Sequence, residues 1–273
     1  MNLTFDVGGT RTVHRLGFGA MHLHTAPGPG RDEAIDVLRH AVDLGVDLID
    51  TALLYGGGAN EELIADALHP YPDGLLIATK VGADPALPGA ICGRPEVLRA
   101  QVDGALRRLR VDRLELLQLH RVDPDVPLAD QVGTLAALRA AGKIVHIGLS
   151  EVTVAQLAEA RGITAVASVQ NRYNLLERHY DDVLDACTEA GIAFLPWRPV
   201  HAPGRDDAPV IGAVAREIGA TAAQVMLSWL LRRSPVVLPI PGTAGRQHLA
   251  ENLAAQHLPL DDEQFRRLDA LTG

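Results

Sequence analysis

Short apolar runs alternate with longer amphipathic segments along this chain, eight of each. The short runs fall at 15–21, 46–50, 75–80, 113–120, 144–150, 165–171, 192–197 and 236–240. Several are apolar nearly throughout, as strands buried on both faces of a parallel sheet are. Between them apolar residues recur at helical spacing: Ile35, Leu38 and Val42; Leu98, Val102, Ala105 and Leu109; Leu128, Val132 and Leu135; Tyr180, Leu184 and Cys187. Each set makes one apolar stripe on a helix. Gly45, Gly142 and Gly191 each follow a helix and precede a strand, where a glycine accepts positive φ without steric cost. Eight βα units in about 250 residues predict an α/β fold of the closed (β/α)8 TIM barrel type more than an open doubly wound sheet. A hairpin, Leu3 to Val7 and Thr12 to His14 around Gly8 and Gly9, precedes the first strand and is expected to plug the barrel floor. Pro and Gly are spread through the chain, no short repeat is present, and residues 1–273 read as one domain.

Composition narrows the function. With 25 Lys and Arg against 34 Asp and Glu, the net charge is −9. A nucleic-acid partner is therefore not expected, since neutralising phosphates needs a basic face. The stretch Arg107, Arg108, Arg110, Arg113 is broken by Leu109 and Asp112 and reads as a solvated helix end. Cys92 and Cys187 are too few and too far apart for a disulfide framework or a zinc site, which fits a reduced, cytoplasmic setting. No apolar run approaches the roughly 18 residues of a membrane span. The expected partner is a small molecule, and the expected assembly a monomer or weak oligomer.

In a barrel of this type the chemistry collects at the C-terminal ends of the strands. Those ends present Met21 and His22, Asp50 with Tyr55 in the following loop, Lys80, His120, Ser150, Gln170 with Asn171, Trp197, and Pro241 with Gly242. Asp50 and Lys80 carry opposite charge on neighbouring strands. A nearby ammonium stabilises phenolate, so Lys80 is expected to lower the pKa of Tyr55, while Asp50 keeps Lys80 charged. His120 would hold a substrate oxygen or pass a proton. Together the four suit general acid catalysis on a carbonyl.

The segment GVDLIDTALLYGGGANEELIADAL at 45–68 resembles the signature of the aldo-keto reductases. IATK (77–80), LLQLHRVDPD (116–125), IVHIGLSE (144–151), VQNRYNLLER (169–178) and LPIPGT with HLAENL (238–253) follow in that family's order, so the resemblance covers nearly the whole chain. It implies an NADP(H)-dependent reductase of an aldehyde or ketone. By motif matching Tyr55 is the proton donor, Asp50 and Lys80 tune it, and His120 orients the carbonyl. Ser150 and Gln170 match positions that hold the nicotinamide carboxamide, and Trp197 one that stacks on the ring. Pro241, Gly242 and Thr243 begin the segment that holds the adenosine phosphate, with Glu251 and Asn252 near the adenine. Three departures stand out: Glu151 where relatives often have Asn, Arg198 where they have Ser or Thr, and Gly245 where they have a basic residue. Arg246, one position later, is the candidate for the 2′-phosphate, with Arg198 as competitor.

Other readings stay open on the same fold: reduction of an imine, a non-redox biosynthetic step, or a regulatory nucleotide-binding subunit. His22 and His24 have metal-pair spacing but no further ligands, and read as pocket lining. Gly56, Gly57 and Gly58 read as a turn after Tyr55, with Asn60 as the N-cap of the next helix. The loops at 120–127 and 197–209 are short, which implies an open mouth.

Overall fold

The computed structural model describes residues 2–84, 90–201, 204, 207–258 and 260–271. Seven strands form one parallel sheet in chain order, preceded by an antiparallel hairpin of β1 (Thr4–Val7) and β2 (Arg11–His14). The sheet comprises β3 (Phe18–Gly19), β4 (Leu48–Asp50), β5 (Leu76–Val81), β6 (Leu114–Leu119), β7 (Ile144–Ser150), β8 (Val166–Gln170) and β9 (Ala193–Phe194). Around it lie α1 (Pro29–Asp43), α2 (Ala59–Leu68), α3 (Pro95–Leu109), α4 (Leu128–Ala140), α5 (Val154–Ile163), α6 (Asp181–Ala190), α7 (Ala208–Ile218), α8 (Ala222–Arg233), α9 (Arg246–Ala254) and α10 (Asp262–Asp269). None of these helices is long and apolar enough to cross a membrane. Gly45, Gly142 and Gly191 take φ of 90°, 80° and 65°, as the helix-to-strand turns require.

The expected eighth strand at 236–240 is not a regular strand, yet this segment closes the ring. The Phe194 amide donates to the Val236 carbonyl and the Leu238 amide to the Phe194 carbonyl, both at 2.8 Å. On the other side Gly17 donates to the Pro239 carbonyl at 2.9 Å and Gly19 to that of Pro241 at 3.2 Å. Pro239 and Pro241 have no N–H to return, so on the side facing β3 the ladder runs one way. Beside this irregular segment the neighbours are short: the runs expected as strands at 15–21 and 192–197 contain only the two-residue β3 and β9. The expected short loop at 197–209 falls partly on residues 202, 203, 205 and 206, outside the described residues.

Alternation along the strands makes two apolar layers. Ile49, Ile77, Leu117, Leu149 and Phe194 pack outward with the helices. Leu48, Leu76, Ala78, Leu116, Leu195 and Leu238 fill the interior, and Val7 and Val13 of the hairpin join that inner cluster with no exposed surface. The hairpin therefore closes the floor as expected. It meets the N-terminal ends of the strands, where the Thr10 hydroxyl lies 2.9 Å from Nε2 of His146 and the Arg11 guanidinium donates to Glu115 at 2.8 Å.

Arg15 locks the seam from beneath. The residue is 2% exposed, and its guanidinium donates to the carbonyls of Val237, Leu231, Ser234 and Asn2 at 2.6–3.2 Å. Burial lowers its pKa to about 10, a cost borne without a carboxylate partner among these bonds. Arg15→Leu should strand several buried carbonyls and cost roughly 3 kcal/mol. His14→Ala, which removes a ring hydrogen bond to Asp47 that is partly in water, should cost less than about 1 kcal/mol. Denaturant unfolding of the two variants checks the contrast; equal losses would mean the seam does not depend on Arg15.

Candidate active site

Lys80 follows Leu76 and Ala78 on the inward face of β5, so its side chain enters the barrel, where it has no exposed surface. Nζ donates to Asp50 Oδ2 at 2.6 Å, to the Thr51 carbonyl at 2.8 Å and to the Tyr55 hydroxyl at 3.5 Å. Three N–H donors thus meet three acceptors. Burial alone would lower the ammonium's pKa, but Asp50 and Tyr55 outweigh it and hold the pKa above the usual lysine value. The second Asp50 oxygen accepts from Gln170 Nε2 at 2.8 Å.

Tyr55 opens a 3₁₀ turn, Tyr55–Gly58, in which Gly56, Gly57 and Gly58 take φ of 65°, 66° and 98°. These left-handed values fold the chain sharply enough to lay the phenol over Lys80 while α2 starts at once. Asn60 is not the N-cap expected of it; Gly58 holds that position. Asn60 is instead buried in the first turn, donating to the Ala20 carbonyl at 2.9 Å and accepting from the Thr51 hydroxyl at 2.6 Å. Glu61 beside it is fully buried, accepting from Thr79 at 2.5 Å and from Arg108 Nε at 2.6 Å. Arg108 is therefore a clamp on α2 and not part of a solvated face, whereas Arg110 pairs with Asp66 at the surface.

The expected lowering of the Tyr55 pKa is reversed. Burial raises it, Lys80 opposes that rise, Asp50 reinforces it, and the net shift is upward. Asp50 has already neutralised Lys80, so desolvation of the phenolate wins. The His120 ring stands edge-on to Tyr55 with centroids 6.3 Å apart. Burial first, then the charges of Lys80 and Arg121, push its pKa down to about 3, so the imidazole is neutral. Its Nδ1 is buried without a partner among the described residues.

These groups stand at one end of a cleft of about 940 Å³. Of the expected site residues, Asp50, Tyr55, His120, Ser150, Gln170, Trp197, Arg198, Pro241, Gly242, Thr243, Glu251 and Asn252 line it, and so does His22. Lys80 lies behind the wall. Arg246 does not line the cleft; it is the first residue of α9, its guanidinium 3.3 Å from Nδ1 of His40. Gly245 provides no side-chain cap to α9, so the first-turn amides remain available at the far end of the cleft, near Thr243 and His248.

Trp197 is half-buried at the mouth; the fully buried indole is that of Trp229, stacked on Tyr173 and Phe265. The Trp197 N–H donates to Glu151 Oε1 at 2.6 Å, and the Arg172 guanidinium lies 5.6 Å from the indole ring. Glu151, at φ 56°, also accepts from the Arg172 amide at 2.6 Å and the Tyr180 hydroxyl at 3.1 Å. No spacing in the sequence pairs positions 151 and 197. Arg121, which donates to the His120 carbonyl and the Ser150 hydroxyl, was equally hidden, although its place directly after a strand-end histidine was a usable signal.

Comparison with known proteins agrees with this geometry. The aldo/keto reductase family model matches residues 15–272. The chain is similar to an uncharacterized oxidoreductase of Schizosaccharomyces pombe (43% identity, 96% of this chain and 87% of that one). It is also similar to pyridoxine 4-dehydrogenase of Escherichia coli (40% identity, 98% of each). Among solved structures, it resembles a thermostable aldo-keto reductase in complex with the inhibitor epalrestat (TM-score 0.89, 28% identity, 99% of this chain and 100% of that one). An aldo/keto reductase from Klebsiella pneumoniae in complex with NADP and acetate gives a TM-score of 0.85 at 27% identity, over 99% of this chain and 95% of that one. A family match over almost the whole length, joined to the barrel and its buried Asp–Lys–Tyr cluster, establishes that the chain belongs to the aldo/keto reductase family.

Proposed function

We propose that this protein uses NADPH to reduce an aldehyde or ketone to the alcohol, with Tyr55 as the proton donor. The observation that carries the reading is the saturated Lys80 ammonium, bonded to Asp50, Thr51 and Tyr55 and facing a neutral His120 across the phenol. A tyrosine whose proton is retained by burial, beside a neutral imidazole that can donate or accept, is equipped to protonate a developing alkoxide.

The residues present fit a dinucleotide. The cleft lies at the upper end of the range for small-molecule sites, roughly 300–1,000 Å³. At its far end the uncapped α9 N-terminus offers amides to a phosphate. At its near end Ser150, Gln170 and Trp197 offer a hydroxyl, an amide and an aromatic face for the nicotinamide. When bound, NADPH supplies a hydride to the carbonyl carbon. As the carbon–oxygen π pair moves onto oxygen, Tyr55 gives up its hydroxyl proton to that oxygen. His120 orients the carbonyl by hydrogen bond, and Lys80 with Asp50 steadies the tyrosine as it loses its proton. The tyrosine is then reprotonated from water.

Tyr55→Phe should lower kcat by about 100- to 10,000-fold while NADPH affinity stays nearly unchanged. Near-normal turnover in that variant would remove Tyr55 from the role. The pH dependence has a definite sign. A raised Tyr55 pKa keeps the donor protonated through neutral pH, and a His120 pKa of about 3 keeps the imidazole neutral there. The kcat for reduction should therefore show no step near the ordinary histidine pKa of about 6.5 and fall only in the alkaline range. A step there in the parent that is missing in His120→Asn would overturn the neutral-imidazole assignment.

Trp197→Ala should lose the quenching of indole fluorescence on NADPH binding, leaving Trp229 as the only indole, and weaken cofactor binding. Full quenching in the variant would exclude stacking on the nicotinamide. Arg246→Ala should raise the Kd for NADPH and leave that for NADH unchanged if its guanidinium turns from His40 to the 2′-phosphate. Titration with both cofactors checks this; equal losses would move the contact elsewhere, with Arg198 the next candidate.

A further inference from the structure

Of the charged groups at the catalytic end of the cleft, one has no counter-charge among the described residues. Lys80 is matched by Asp50, and the His120 imidazole is neutral. Arg121 lines the cleft immediately after His120 and is held by one nitrogen: Nη1 donates to the His120 carbonyl at 2.6 Å and to the Ser150 hydroxyl at 3.1 Å. Both acceptors are uncharged, and Arg121 takes part in no ion pair among the described residues. Its Nε and Nη2 have no protein acceptor there and are not sealed inside the fold. Of the carboxylates near it, Asp123, two residues on, is buried and accepts from the Gly93 and Asp125 amides, and Glu151, after Ser150, is committed to Trp197, Tyr180 and the Arg172 amide; neither they nor Asp125 line the cleft. Arg198, the other cleft arginine, is exposed at the rim.

A guanidinium anchored by one nitrogen and free at the others is preorganised to grip a carboxylate, because its planar donors match the two oxygens. The surrounding wall favours this further: Met21, Leu54 and Trp197 are apolar or aromatic and offer a carboxylate no competing cation. Since Arg121 adjoins His120 in the chain, an anion bound there would lie only a short spacer away from a carbonyl held at Tyr55 and His120.

We propose that Arg121 is the substrate-selecting residue of this cleft and that the preferred substrates are aldehydes or ketones carrying a carboxylate a few bonds from the reacting carbonyl. This rests on the carbonyl-reductase reading above and adds to it the chemical class of the substrate. The test compares 2-, 3- and 4-carboxybenzaldehyde with their methyl esters, which keep the carbonyl and the ring but remove the charge. NADPH consumption is followed with the parent, Arg121→Gln, Arg121→Met and Arg121→Lys.

In the parent, at least one acid should exceed its own ester in kcat/KM by about 10- to 100-fold, the worth of a charge-assisted bidentate contact. That ratio should fall to near unity in Arg121→Gln and Arg121→Met and return in part in Arg121→Lys, the change residing in KM more than in kcat. The ratio is the readout, so a general loss of rate from the lost bonds to His120 and Ser150 does not disguise the result. Two neutral variants keep the comparison available should one fail to fold. Acids and esters reduced equally by the parent, or an acid preference that survives in the neutral variants, would overturn the assignment of Arg121 while leaving carbonyl reduction in place. Failure to reduce either acids or esters would remove both.

Discussion

The catalytic end of this barrel depends on the burial of a single ammonium. Lys80 has no contact with solvent, and a buried cation without partners would shed its proton or cost several kcal/mol. Its three acceptors come from Asp50 at the end of β4, the next carbonyl, and the turn that begins at Tyr55. The parallel register sets Asp50 opposite Ala78, so Lys80 on the same face reaches back across β4 just above the last ladder pair. Support arrives from farther off. Gln170, on the opposite side of the barrel, holds the other Asp50 oxygen, and Asn60 on α2 grips the Thr51 side chain. The ion pair is thus a product of ring closure, which ties the catalytic apparatus to the proline-rich seam and to Arg15 beneath it.

One strand divides two tasks by its alternation. Thr79 and Lys80 are consecutive on β5 and point to opposite faces. Outward, Thr79 meets Glu61, which Arg108 neutralises between α2 and α3. Inward, Lys80 meets Asp50. The outer pair fixes the helix that follows the Tyr55 turn, so the phenol is positioned from both sides of the sheet. The electrostatic result inside the cleft is near-neutrality at the reacting groups, and this explains why burial decides the proton affinity of Tyr55 although an ammonium touches it. For the role proposed for Tyr55, a donor that keeps its proton until the substrate oxygen becomes basic is more useful than one ionised in advance.

Much of this was legible in the chain because period-two and period-3.6 patterns carry the barrel, and strand ends carry its chemistry. Asp50, Lys80 and His120 could be read from their place at the ends of apolar runs, and Tyr55 from its place in the loop that follows Asp50. The eighth strand could be located but not its irregularity, since two prolines change the hydrogen bonds without changing the apolar pattern. Asn60 was misread because a short polar residue before a helix suits a cap as well as a cross-link, and only the tertiary position of Thr51 decides between them. Arg108 was misread for a similar reason: its partner Glu61 is 47 residues distant in sequence. The sign of the Tyr55 shift was not legible at all, because it is the difference between burial and a compensated charge, and burial is not local.

What separates this site from others on the same scaffold lies where the strands give way to loops. Asp50 and Lys80 lie within the ladder and are fixed by its backbone bonds, whereas Tyr55, His120, Glu151 and Arg198 lie just beyond strand ends, where loops vary most. Glu151 and Arg198 both occupy left-handed backbone at the mouth, with φ of 56° and 57°, a conformation costing a non-glycine residue roughly 1–2 kcal/mol. Glu151 recovers that cost through bonds to Trp197, Tyr180 and the Arg172 amide, and Arg198 through the Asn174 amide that its carbonyl accepts. The strain is therefore held by the same contacts that brace the indole against one wall. They also leave Glu151 fully committed at that wall. The exit of β7 thus does two things at once: Glu151 anchors an aromatic wall, and the Ser150 hydroxyl accepts from Arg121 at the cleft lining.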